Sequence, residues 1–233
     1  MVSPLIAALI VAAGRGVRAG TQVPKQYVQM GDKTVLRHTV DRFLELPEIG
    51  RLTVVISERD RSEYSEAVAG VTDNRLTAPV IGGETRAHSV RAGLNAMTDN
   101  PPDQVLIHDA ARPFVAAEAI RGVIDILKVH DGAFVAVPVV DALWRTDGGF
   151  AISPQDRTTL WRAQTPQGFR YQRILEAHNR FEGVAADDVE VARASGMLVQ
   201  IVEGSEMNFK ITTSADLVRA RAQLAYLNEN AED

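Results

Sequence analysis

The chain has 233 residues, 45% apolar and 24% charged, with no cysteine and a formal net charge of −5. That length and apolar content suit one large α/β domain or two small ones and exclude a disordered or low-complexity chain. The missing thiols exclude disulfides, thiolate metal sites, iron–sulfur clusters and a cysteine nucleophile, and the acidic balance argues against a nucleic-acid binder, which needs a basic face.

Leu5 to Val11 is a short continuous apolar run, the pattern of a parallel strand buried on both faces. It is too short to span a bilayer and no basic segment precedes it, so no membrane association is expected and a cytoplasmic protein is. A glycine-rich stretch follows, Ala12-Ala13-Gly14-Arg15-Gly16-Val17-Arg18-Ala19-Gly20, then Thr21-Gln22-Val23-Pro24-Lys25. Residues 1–31 carry Arg15, Arg18 and Lys25 and no acid, a local +3, whereas the other 202 residues hold 22 basic against 30 acidic side chains. A small anion captured at one concentrated site is the partner this asymmetry favours.

Helical spacing begins near Thr34, through Val35/Leu36, Val40 and Phe43/Leu44, and Leu52–Ile56 reads as the next strand. Glu84–Met97 is predicted as a helix, Val105–His108 as a strand, Ile120–Leu127 as a helix and Ala133–Val137 as a strand. From Val139 to Gln167 no helical period is visible, and Asp147-Gly148-Gly149 and Ser153-Pro154 are turn signals. This segment is predicted to be an inserted arm or small β-subdomain within a single domain of 1–233, and a dimer contact. Leu198–Val202 (strand), Thr213–Leu227 (helix) and a fraying tail complete the chain. The alternation predicts an α/β fold: a mostly parallel sheet, helices on both faces and a projecting β-arm.

Gly14-x-Gly16-x-x-Ala19 satisfies the relaxed dinucleotide-binding pattern, but its context does not. That motif opens directly into a helix with an acid about 20 residues on. Here the loop continues through Gly20 and Pro24, and Glu58, the acid after the second strand, stands 42 residues past Gly16. No Walker pattern occurs either. What remains is a glycine loop with three cations, suited to a triphosphate, or an ordinary turn with solvated arginines.

Three further segments fall where strand C-termini gather: Gly82-Gly83-Glu84-Thr85-Arg86-Ala87-His88-Ser89-Val90, His108-Asp109-Ala110-Ala111-Arg112-Pro113, and Asp156-Arg157 through Gln164-Thr165-Pro166-Gln167. Asn208-Phe209-Lys210-Ile211-Thr212 precedes the last helix. With A-A-G-x-G-x-R and P-K-Q in this order, the chain from about Leu5 to Leu227 resembles the 2-C-methyl-D-erythritol 4-phosphate cytidylyltransferases of non-mevalonate isoprenoid synthesis and their relatives, the ribitol-phosphate cytidylyltransferases.

The resemblance implies a Rossmann-like nucleotidyltransferase fold with an arm for homodimerisation. The implied reaction is CTP plus a polyol phosphate giving a CDP-polyol and pyrophosphate, with Mg²⁺. It implies that Arg18 and Lys25 stabilise charge on the α-phosphate, and that Lys210 joins them as a catalytic cation. Gly14 and Gly16 would meet the triphosphate, Gly82, Gly83 and Ser89 the cytosine and ribose, and Ala12, Ala13 and Asp109 would also belong to the nucleotide site. Asp109 would position the metal or the attacking phosphate, the metal otherwise being held through the CTP phosphates. Arg112, Arg157, Thr165 and Lys210 would bind the polyol phosphate, Arg157 and Thr165 reaching in from the partner's arm. Two positions depart from the family pattern, Ala142 and Ala186, each where a threonine is usual. The fused cyclodiphosphate synthase found in some relatives is not expected here.

Several of these residues also admit plainer readings. Asp109 could cap a helix or pair with Arg112, and Asp187-Asp188 is predicted to cap a helix. His108 is expected to be a packed strand-end residue, and His38, His88, His130 and His178 lack metal-ligand spacing. Arg86 and Arg91 could be a solvated helix face, and Trp144 and Trp161 are expected in ordinary packing or across a dimer contact. A catalytically inactive nucleotide-binding module and, more distantly, an NAD-linked oxidoreductase are the other functional readings.

Overall fold

The computed structural model describes residues 4–14 and 23–230. Arg15, Gly16 and Arg18, three of the residues assigned to the triphosphate, lie outside the described residues.

Alternation along the first strand, β1 (Ile6–Val11), sets the layering. Ile6, Ala8 and Ile10 point into one core and Ala7 and Leu9 into another, as the two-residue period of a strand requires. A two-residue hairpin, β2 (Gln29–Met30) and β3 (Lys33–Thr34), leads into α1 (Val35–Leu44), whose start is capped by the Thr34 hydroxyl accepting from Arg37 N. Then follow β4 (Arg51–Ile56), α2 (Arg61–Ala67), β5 (Val80–Ile81), α3 (Arg86–Asn95), β6 (Gln104–Asp109), α4 (Ala117–Ile126) and β7 (Gly132–Pro138). The projecting hairpin is β8 (Leu143–Asp147) and β9 (Phe150–Gln155). β10 (Trp161–Arg170), α5 (Tyr171–Arg180), α6 (Asp188–Ala194), β11 (Val199–Glu203) and α7 (Ser214–Glu229) close the chain.

Seven strands form the central sheet in the order β11-β7-β10-β6-β1-β4-β5, parallel except for β10. Phe43, Ile120 and Val123 of α1 and α4 cover one face, and Val90, Leu94 and Ile174 of α3 and α5 cover the other. The expected α/β architecture is therefore present, with each of the five predicted strands and four predicted helices in place.

The segment predicted as an arm needs a correction. Only its first part projects; β10 returns into the centre of the sheet, paired with β6 and β7, so residues 161–167 belong to the main fold. Its sequence hides this. Pro166 and Gly168 in one short run argue against a central strand. The ladder to β7, however, shifts register between Ala163 and Gln167, so Pro166 falls where no ladder bond is required. Gly168 sits under α4, where a Cβ would come within 2.8 Å of a Leu106 methyl and closer still to Val123.

Candidate active site

The C-terminal ends of β1 and β6 lie side by side, with Val11 opposite Asp109. Around them is a cleft of two lobes. The first, about 210 Å³, is walled by Ala12, Ala13, Gly14, Lys25, Gly83 and Ser89. The second, about 150 Å³, is walled by Arg112, Gln164, Thr165, Gln167, Ala186 and Asp187. Arg86, Asp109 and Lys210 belong to both walls and form the junction.

Glycines shape the first lobe. A Cβ on Gly82 would fall 2.7 Å from Ser89 Oγ and 2.8 Å from Ala13 Cβ, and one on Gly83 would fall 2.6 Å from His88 Cβ. Only a bare backbone lets this turn close over the start of α3. Ser89 is buried and its hydroxyl works on that turn, accepting from Gly83 N at 3.2 Å and lying 3.0 Å from Thr85 O. Opposite, Gln26 is buried and its Nε2 donates to Ala12 O at 2.6 Å and Gly14 O at 3.1 Å, tying the glycine loop to the turn that carries Lys25. In sequence Gln26 is only a member of the P-K-Q motif; its buried amide, satisfied by loop carbonyls, gives it a structural task.

Asp109 is the electrostatic centre. Lys210 Nζ stands 2.7 Å from Oδ2, Arg86 Nε 3.3 Å from Oδ1, and Arg112 Nε 3.8 Å from Oδ2. Burial would raise its pKa, but Arg86 and Lys210 outweigh burial and hold the carboxyl well below its usual range. It is an ionised hub rather than the helix cap that the sequence also allowed. Lys25 experiences the reverse: burial first, then the nearby Lys210 charge, push its ammonium down to about 8. Arg112 donates from Nη1 to Asn208 O at 2.7 Å, which binds the segment before α7 to the end of β6.

Thr165 lies inside this chain's own cleft, not on the arm, which corrects the expectation that it reaches in from a partner. The β10 register shift turns it inward, where it is buried. Its Oγ1 accepts from Asp109 N at 3.1 Å and lies 2.9 Å from His108 Nδ1, while His108 Nε2 lies 3.0 Å from Arg112 O. A carbonyl only accepts, so Nε2 carries the proton; burial pushes the ring's pKa down to about 4, leaving Nδ1 to accept from the threonine hydroxyl. His108 is packed as expected, 4.9 Å from the Phe43 ring, and its buried bonds fix the junction backbone. Arg157 sits beyond β9 and is not in either wall.

Arg86 overturns the reading of a solvated face, because its Nη2 is also 2.7 Å from the buried Asp188 carboxylate. Asp187 does cap α6, accepting from Glu190 N at 3.0 Å. Gln167, in sequence only the last residue of a motif, links both: it donates to Asp187 Oδ2 at 3.0 Å and accepts from Asp188 N at 2.9 Å. No group of three or more His, Cys, Asp or Glu side chains among the described residues is arranged as a metal site. No described helix is long and apolar enough to cross a membrane.

A mostly parallel sheet, a glycine-rich sequence after its first strand and a cation-ringed cleft at its C-terminal edge define an α/β nucleotidyltransferase. Comparison with known proteins narrows the class. The family profile of IspD, 2-C-methyl-D-erythritol 4-phosphate cytidylyltransferase, matches residues 6–226, and the chain belongs to this family. It is 49% identical over 219 residues to the 2-C-methyl-D-erythritol 4-phosphate cytidylyltransferase of Cereibacter sphaeroides, covering 94% of this chain and 96% of that protein. It is 50% identical over 214 residues to the bifunctional enzyme IspD/IspF of Paramagnetospirillum magneticum, of which the match spans 55%. The crystal structure of 4-diphosphocytidyl-2C-methyl-D-erythritol synthase from Anaerococcus prevotii superposes with a TM-score of 0.83 at 28% identity, over 96% of this chain and 97% of that one.

Proposed function

We propose that the chain transfers CMP from CTP to 2-C-methyl-D-erythritol 4-phosphate, releasing pyrophosphate and 4-diphosphocytidyl-2-C-methyl-D-erythritol. Beside the family membership, the observation that carries this reading is the shared junction: two lobes meeting at Arg86, Asp109 and Lys210 can bring two anions together. CTP takes the glycine-walled lobe, with Ala12, Ala13 and Gly14 against the triphosphate and Gly82 and Gly83 framing the nucleoside end. The polyol phosphate takes the lobe walled by Arg112, with Ala186 leaving room where the family usually has threonine.

An oxygen of the acceptor phosphate attacks the α-phosphorus; that P–O bond forms while the bond to the β-phosphate oxygen breaks, and pyrophosphate departs with the electron pair. A phosphate monoester has a second pKa of about 6 and is largely dianionic at pH 7, so the reaction needs no base from the protein. What it needs is alignment and positive charge where negative charge accumulates. Lys25 and Lys210 supply that charge, and Arg18 is assigned with them on family resemblance. Thr165 and His108 hold the Asp109 backbone rather than the substrate.

Mg²⁺ fits the cleft as an ion that arrives with the triphosphate. Asp109 is the one carboxylate at the junction, and Mg²⁺ is commonly held through one or two carboxylates together with substrate phosphates. Both Asp109 oxygens face cations, so the site is not a preformed protein cage. When bound, the ion neutralises phosphate charge and orients the triphosphate.

The arm exposes Trp144, Phe150, Ile152 and Trp161 on and beside a two-stranded hairpin. A homodimer closed through these residues would bring Arg157 toward the partner's acceptor lobe. We place the reaction in the cytoplasm, where CTP is available. Incubating the chain with CTP, Mg²⁺ and 2-C-methyl-D-erythritol 4-phosphate should release pyrophosphate stoichiometrically with product. Turnover restricted to a parallel ribitol 5-phosphate reaction would transfer the assignment to that acceptor, and none with either would overturn it.

A further inference from the structure

From the junction a buried chain of charged and polar groups runs back through Arg86 to Asp188 and His178, which line neither lobe. Arg86 places Nε 3.3 Å from Asp109 Oδ1 and Nη2 2.7 Å from Asp188 Oδ2. The other Asp188 oxygen lies 3.1 Å from His178 Nε2. A carboxylate only accepts, so His178 donates from Nε2. Asp188 and His178 are 1% and 3% exposed, and Asp188 is also pinned through its backbone N–H to the Gln167 amide oxygen at 2.9 Å. Of the Asp187-Asp188 pair predicted to cap a helix, Asp187 is the cap, so the Asp188 side chain is free to turn inward.

Stability alone does not account for this arrangement. Buried ion pairs often break even or lose against apolar packing of the same volume. Here the pair joins the core between α5 and α6 to the one arginine among the described residues that walls both lobes. We propose that Asp188 and His178 are positioning residues for CMP transfer, acting through Arg86. Because Asp188 takes Nη2, Arg86 approaches Asp109 only through Nε and on one oxygen. The other oxygen stays with Lys210, 2.7 Å away. If Asp188 lost its charge, the Arg86 fork would be free to close on both Asp109 oxygens and displace Lys210 from the junction. His178 keeps the Asp188 carboxylate turned toward Arg86.

This inference rests on the cytidylyltransferase reading for its kinetic arm but not for its spectroscopic one. Three variants separate positioning from simple structure: Asp188→Asn, His178→Phe and His178→Gln, the last retaining an N–H donor near the position of Nε2. Asp188→Asn and His178→Phe should lower kcat by about ten- to a hundredfold, the range for a displaced positioning contact, with KM for CTP changed less than about threefold. His178→Gln should keep most of the wild-type kcat. In ¹⁵N NMR of the full chain, the Arg86 Nε–H resonance, assigned by its loss in Arg86→Lys, should be resolved in wild type and His178→Gln. It should be shifted or broadened in the other two. Wild-type kcat in Asp188→Asn overturns the proposal, as does loss of activity by His178→Phe and His178→Gln in equal measure, the result of a merely structural role. An Arg86 signal identical in all four proteins overturns it too, even if the wild type showed no cytidylyl transfer. If Asp188→Asn failed to fold, the two His178 variants would decide.

Discussion

Two arginine–aspartate clusters sit at opposite ends of the same sheet region, and only the one at Asp109 walls the cleft of two lobes. At Arg75, the guanidinium is saturated by its own chain: Nε and Nη2 pair with Asp73, Nη1 donates to Leu46 O at 2.8 Å and Ile49 O at 2.9 Å, and Nη2 also reaches Leu44 O. Those carbonyls belong to the end of α1 and the turn after it, so the cluster staples a helix terminus. At Asp109 the reverse holds. Among the described residues each lobe wall carries three cations against two carboxylates, and the Lys25 ammonium makes no hydrogen bond or ion pair with any of them. Arginine content alone does not mark a functional site; donors left for a ligand do. A saturated cluster stabilises the fold, while an unsaturated one is held in place by the rest of the fold until an anion arrives.

The largest effect expected from this contrast is at Lys210. Lys210→Ala should lower kcat by about a hundred- to a thousandfold, the cost of removing one preorganised group facing developing charge. The melting temperature should move little, because Arg86 and Arg112 still compensate Asp109. Steady-state kinetics alongside thermal denaturation checks both halves. A variant that turned over normally but melted early would place Lys210 with Arg75 as a structural cation.

A smaller effect follows from Lys25. With its ammonium pushed down to about 8, the free enzyme loses the charged form above that pH, so kcat/KM for CTP should fall about tenfold per unit there. Below about pH 6 the acceptor phosphate loses its second charge and the rate falls again. The stability sign is opposite. A lysine whose pKa is lower folded than unfolded binds protons more readily in the unfolded chain, so its contribution to stability rises as pH climbs from 8 toward 10.5. Lys25→Met should therefore melt no lower than wild type at pH 7 while losing activity. A lower melting temperature would mean that the ammonium is structurally engaged.

The same contrast explains what could be read from sequence. Periodicity located β1, β4 and β6 because each lies buried between two cores, β7 and the edge strand β11 showed as short apolar runs, and the glycine turns were legible because no side chain fits at Gly82 or Gly83. Asp109, Arg112 and Lys210 were found through motif order. β10 was lost because Pro166 and Gly168 mimic a loop, and the register shift that tolerates them appears only in the pairing with β7. The partners of Arg86, Gln167 and Asp188 were not legible for a related reason. They lie 23, 20 and 10 residues away in the chain, and local spacing looks like an ordinary helix start or solvated face. Thr165 was placed on the wrong subunit because the strand that carries it was taken for the arm.

The smallest effect on activity is expected at the staple, where the comparison is most easily broken. Arg75→Ala leaves the carbonyls of Leu44, Leu46 and Ile49 without their donor, and half-buried groups stripped of partners cost stability, here about 2 kcal/mol in all after water replaces part of the loss. The Asp73 pair itself adds little, being near the surface. Because α1 packs through Leu36, Val40 and Phe43 against the core beneath β1 and β6, loosening its end should leave the junction geometry intact. Urea denaturation should report the lost stability while kcat and KM for both substrates stay within about twofold, as for surface changes away from a site. A tenfold loss of kcat with an unchanged urea midpoint would show that saturation of a cluster by its own chain does not keep it out of the chemistry.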